Sequence, residues 1–161
     1  KASNLPRFKP VMTTNLYARL CSEHGQAPEE QFPDEPCACP FLENNACSIY
    51  TVRPFGCRSM ISSKSCRKTG SATIDDFTLT VNTMFLQIIE HLDCQGFSGN
   101  MIDVLISVGT EYIPAYHELP FCHTVSNEPI TALMIPPEHH QKVKPLLNTL
   151  NHILSGVPAF S

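Results

Sequence analysis

The chain has 161 residues, of which 42% are hydrophobic and 16% charged, enough for one domain with a buried core that does not depend on cross-links. Its net charge is −4 and no Lys/Arg run exceeds Arg67-Lys68, which speaks against an electrostatic nucleic-acid footprint. No stretch of about eighteen apolar residues occurs that would span a membrane.

In chain order, Leu16, Tyr17, Leu20 and Cys21 fall on one face of a helix predicted over Thr13 to Gly25, with Gly25 as the stop and Cys21 as a buried core thiol. Gln26 to Pro36 is acidic and broken by proline, a loop. A cysteine-dense block follows, to about Gly70. From Thr73 the residues Phe77, Val81, Met84, Phe85, Ile88, Ile89 and Leu92 recur at helical steps, and Thr73 with Asp76 is placed like a capping box.

A shorter helix is expected over Asn100 to Val108, ended by Gly109. Residues 110–136 are mixed, with Ile130 to Ile135 as a candidate strand. The last helix opens at Pro137 and closes at Gly156, with a stripe of Val143, Leu146, Leu147, Leu150, Ile153 and Leu154 and a kink at Pro145. The expected fold class is mainly α: a single domain, 1–161, in which an irregular cysteine-rich metal-binding lobe, 37–70, is carried by a helical support, 71–161, with little β.

Five of the eight cysteines lie between Cys37 and Cys66. Zinc and iron–sulfur centres both need several thiolates converging in near-tetrahedral fashion, so the chain must reverse repeatedly. Asn44-Asn45 and Pro54-Phe55-Gly56 provide such reversals. A hairpin with the three-residue loop Asn44-Asn45-Ala46 pairs Glu43 with Cys47 and turns Cys39 and Cys47 to one side. Cys57 returns after the Arg53-Pro54 corner and Cys66 arrives as the fourth ligand, with Cys37 and Cys21 as alternates. Arg53 and Arg58 either donate hydrogen bonds to thiolates or hold loop carbonyls, and Tyr50 reads as a packing anchor beside them. Cys94 and Cys122 stand alone, and the seven histidines are scattered. Cys57 as an activated nucleophile is unsupported, since no catalytic motif accompanies it.

The run Cys39-Pro-Phe-Leu, Cys47-Ser-Ile-Tyr and Arg53-Pro-Phe-Gly-Cys-Arg58 resembles a cysteine-cluster family described as a zinc- or iron-chelating domain and often called YkgJ-like. Its members show a Cys before an aromatic-Leu pair, a Cys before Ile-Tyr, and Arg-Pro before a final Cys-Arg. The resemblance extends from Cys39 to Cys66 and implies zinc or an iron–sulfur cluster on Cys39, Cys47, Cys57 and Cys66. The family's CxxCxxCC cluster ahead of this block has no counterpart after Lys1, where Cys37 makes only CxC with Cys39.

The expected function is metal binding, structural with zinc, or electron transfer and service to a protein or redox partner with iron and sulfide. Clustered thiols and the lack of a signal-peptide pattern at the start place the expectation in a reducing, cytoplasmic setting, without nucleic-acid or membrane partners. The alternative is a disulfide-bonded binding or adaptor domain without metal. An enzyme using the region from Gly109 to Pro137 is a third reading without motif support.

Overall fold

Thr13 opens the first helix by lending its hydroxyl to the Leu16 N–H at 3.2 Å, after which α1 runs Thr14–Ser22. The computed structural model describes residues 7–30, 32, 39–64, 72–112 and 123–154. Within them the fold is mainly α, continuing with α2 (Phe55–Ser59), α3 (Asp76–Leu92), α4 (Met101–Tyr112) and α5 (His140–Leu154). Two small antiparallel pairs complete it: β1 (Leu42–Glu43) with β2 (Ala46–Cys47), and β3 (Phe97–Gly99) with β4 (Thr124–Ser126).

The buried face of α1 is Asn15 and Ala18, whereas Cys21 and Tyr17 are exposed, Tyr17 at 39%. The expected core thiol at Cys21 is therefore corrected. The helix docks on α3 through a polar residue, which a scan for apolar spacing passes over. At its end His24 takes the left-handed conformation, φ 55°, its N–H reaching Cys21 O at 3.3 Å while the Gly25 N–H reaches Leu20 O at 2.8 Å. The predicted glycine stop thus lies one residue beyond the left-handed position.

Asp75, not Thr73, caps α3, its carboxylate accepting the Thr78 N–H at 3.0 Å. Thr73 is engaged elsewhere: its N–H donates to Ser62 Oγ at 2.9 Å and its carbonyl accepts the Ser63 N–H at 2.8 Å. These bonds tie the residues after α2 to the lead into α3. The buried positions of α3 are Thr80, Met84, Gln87, Ile88 and Glu90, while Ile89 and Leu92 of the expected stripe are 43% and 47% exposed.

Gln87 explains that rotation. Its side-chain N–H groups donate to Asn15 Oδ1 at 3.1 Å and Ala132 O at 2.8 Å, and its Oε1 accepts the Met134 N–H at 2.8 Å. Glu90 accepts the backbone N–H groups of Asn15 and Glu128 at 3.0 and 2.9 Å. A buried polar group is tolerable only when bonded, and each of these is. The same bonds correct the candidate strand at Ile130 to Ile135, whose backbone pairs with side chains of α3 and forms no ladder; the strand in this region is β4.

Asn100 precedes α4, its Oδ1 accepting the Ile102 N–H at 3.1 Å, and the helix runs from Met101 through Gly109 to Tyr112. A lone glycine costs about 1 kcal/mol in a helix, too little to end one held by tertiary packing. A Cβ added at Gly109 meets nothing within 4 Å. Gly109→Ala is accordingly expected to stabilise the protein by about 0.5–1 kcal/mol, read from urea unfolding midpoints.

α5 follows a 3-10 turn, Pro137–His139, with Pro145 inside the helix and Val143 buried. His139 Nδ1 meets Thr80 Oγ1 at 2.8 Å, fixing the turn to α3. The predicted end at Gly156 lies outside the described residues. Among those described, no helix is long and apolar enough to cross a membrane.

Candidate metal centre

The cysteine block is built from three local reversals. In the first, the Leu42 N–H donates to Cys39 O at 3.0 Å, folding Pro40 and Phe41 into a turn. In the second, Asn44 and Asn45 stand at φ 50° and 63° and join β1 to β2 as a two-residue loop. Two successive left-handed residues give the turn whose twist matches paired strands, and asparagine tolerates that geometry.

The register is Leu42 opposite Cys47 and Glu43 opposite Ala46, so the expected three-residue loop with Glu43 opposite Cys47 is not formed. On uninterrupted strands this register would place Cys39 and Cys47 on opposite faces. The turn at Cys39 breaks the alternation before β1 begins. Ser48 closes the base of the hairpin, its N–H and hydroxyl both donating to Phe41 O, at 2.8 and 3.0 Å.

The third reversal passes through the 3-10 turn Tyr50–Val52 and Pro54 into α2, which carries Cys57. Arg58 holds this corner, donating from Nε to Arg53 O and from Nη2 to Thr51 O, each at 2.8 Å. It therefore braces carbonyls. The Arg53 guanidinium lies 3.9 Å from the centre of the Tyr50 ring, a cation–π contact, and Tyr50 is 62% exposed, which corrects its reading as a packing anchor. α2 is seated on α3 by the Phe55 and Phe85 rings, 5.8 Å apart, and by Asn82 Nδ2 donating to Ser59 O at 2.8 Å.

These reversals open Cys39, Cys47 and Cys57 onto one cavity of about 190 Å³. Arg53 and Met101 line it with them, and Phe41, Leu42 and Ile49 form its apolar wall. Burial pushes the Cys57 thiol above its ordinary value of 9.0, the Cys39 and Cys47 charges push it further, and Arg53 opposes them. A thiol held protonated in this way is the opposite of an activated nucleophile.

The three thiols share the cavity without closing on one point. Among the described residues, no three His, Cys, Asp or Glu side chains stand close enough to hold one ion. Cys37, Cys66 and Cys122 lie outside the described residues. Cys21 and Cys94 are exposed, apart from this cavity, and all five described cysteines are free thiols.

One lining residue escaped the sequence reading. Met101 lies in the helix expected from Asn100, and its Sδ accepts from the Cys57 thiol at 3.7 Å. No spacing rule joins positions so distant in the chain; only the docking of α2 beside the start of α4 does. No family model, characterised protein sequence or solved structure matches this chain.

Proposed function

We propose that this chain is a metal-binding protein of the zinc- or iron-chelating cysteine-cluster kind, holding zinc or an iron–sulfur centre on Cys39, Cys47 and Cys57, with Cys66 as the fourth thiolate. One observation carries the reading: a turn, a strand and a helix that are separate in sequence deliver three thiols to one cavity. The donor chemistry fits a thiophilic centre, since three sulfurs meet a pocket whose other walls are apolar and whose one charged group is Arg53. Arg53 offsets the charge that thiolates would develop there.

Binding draws the thiols closer than they stand, and two of them, Cys39 and Cys47, sit at the short hairpin β1–β2. The setting that goes with free thiols is the cytoplasm, and the use is either a structural clasp or service to a protein or redox partner.

The test is elemental analysis with visible spectroscopy and thiol counting on protein purified without oxygen. One zinc per chain without colour, or iron with acid-labile sulfide and a brown colour, is the expected result. Metal-free protein with thiols missing in pairs would instead overturn the metal reading in favour of a disulfide-bonded domain.

A further inference from the structure

Met101 and Cys57 present two sulfurs 3.7 Å apart, both lining the cavity. Two sulfurs bound to one ion at about 2.3 Å each stand roughly 3.8 Å apart at a tetrahedral angle and roughly 4.0 Å apart at the wider angle of a three-coordinate ion. The Cys57 thiol donates to the Met101 thioether across this distance, so an ion that replaced the thiol proton would find both sulfurs close to ligand spacing. A thioether is neutral and soft; it adds no charge to the cavity, and it favours copper(I) over the harder divalent ions.

Two further observations agree. The donors in the cavity lining are all soft, the thiols of Cys39, Cys47 and Cys57 and the Met101 thioether, which is the donor type copper(I) takes. In addition, two thiolates around a monovalent ion leave one negative charge, and Arg53 is the cation that lines the cavity. Oxygen donors from side chains are missing from that lining, so nothing there favours a hard ion.

We infer that the cavity takes copper(I), with Cys57 and the Met101 thioether as two ligands and a thiolate from the hairpin side, Cys39 or Cys47, as the third. This rests on the thiolate-centre reading above and adds copper(I) to the ions that the same thiolates would hold. Each thiol that binds releases its proton to solvent; no electron is transferred.

The deciding experiment titrates the protein, without oxygen, with copper(I) against a chromophoric copper(I) chelator and, separately, with zinc against a zinc chelator. Wild type is compared with Met101→Leu, a swap that conserves volume. Wild type is expected to take one copper(I), and Met101→Leu to weaken that binding by at least about tenfold while leaving zinc affinity unchanged.

If Met101→Leu binds copper(I) as wild type does, or weakens both metals equally, the thioether is no ligand and the inference falls while the thiolate reading stands. Failure of wild type to bind either metal overturns both. A readout that does not depend on the variant's folding is the selenium-edge X-ray absorption of selenomethionine protein loaded with copper(I). A selenium–copper scattering path is expected, and its absence overturns the inference.

Discussion

Cys57→Ser is expected to weaken thiophilic metal binding by at least about a hundredfold, while Cys94→Ser leaves it unchanged. Cys57 is the one described cavity thiol on a helix, and its position is set by the packing of Phe55 on Phe85 and by the Asn82 bond to Ser59 O. It senses both other thiols, whose charges push it up. A serine hydroxyl keeps the shape and replaces a soft donor with a hard one, so the loss reads as ligand chemistry.

Cys94 is exposed in the turn after α3, apart from the cavity. The measurement is chelator competition without oxygen, with far-ultraviolet circular dichroism confirming that both variants fold. Wild-type affinity in Cys57→Ser would remove the cavity as the site.

The second large effect is on stability. Asp103→Asn is expected to cost about 3 kcal/mol, because it removes the carboxylate charge from a buried, hydrogen-bonded ion pair. The pair is two-pronged, Arg7 Nε to Asp103 Oδ2 at 2.9 Å and Nη2 to Oδ1 at 2.6 Å, with the Asp103 side chain fully buried and that of Arg7 9% exposed. It ties the residues before α1 to the first turn of α4.

Burial pushes the Asp103 carboxyl up, but the Arg7 hydrogen bonds and charge, joined by the His123 backbone N–H and ring, outweigh it and hold the group below its ordinary 3.8. A carboxyl depressed in the folded state binds fewer protons there than in the unfolded chain. Its contribution is therefore present above the ordinary carboxylate value and is lost as pH falls through the lower, folded one. Wild type should lose stability between about pH 5 and pH 2, and Asp103→Asn should lose less across that interval. Asp75 is also lowered, by the Thr78 hydroxyl and N–H, and is common to both proteins, so the difference between the two curves isolates Asp103. Parallel curves would refute the assignment.

Much of the helical plan was legible because it depends on neighbours in sequence. The spacing around Met84 and Ile88 predicted α3, and the stretch from Pro137 predicted α5, since an amphipathic face is written at three- and four-residue steps. The exact faces were less legible. Asn15, Gln87 and Glu90 are buried because each finds backbone partners on another element, and no local pattern announces that a polar side chain has found its partners.

The site divides along the same line. The sequence alone determined that thiols would crowd between Cys39 and Cys57 and that Asn44-Asn45 and Pro54 would turn the chain among them, because turn chemistry acts within four residues. Only the tertiary structure decided which thiols line one cavity. The two-residue loop would have parted Cys39 from Cys47 on continuous strands, and the turn ahead of β1 restored them to one cavity. It also decided that Met101, distant in the chain, stands against Cys57, because the contact follows from seating α2 on α3 beside the start of α4, and such packing is set by the burial of whole faces.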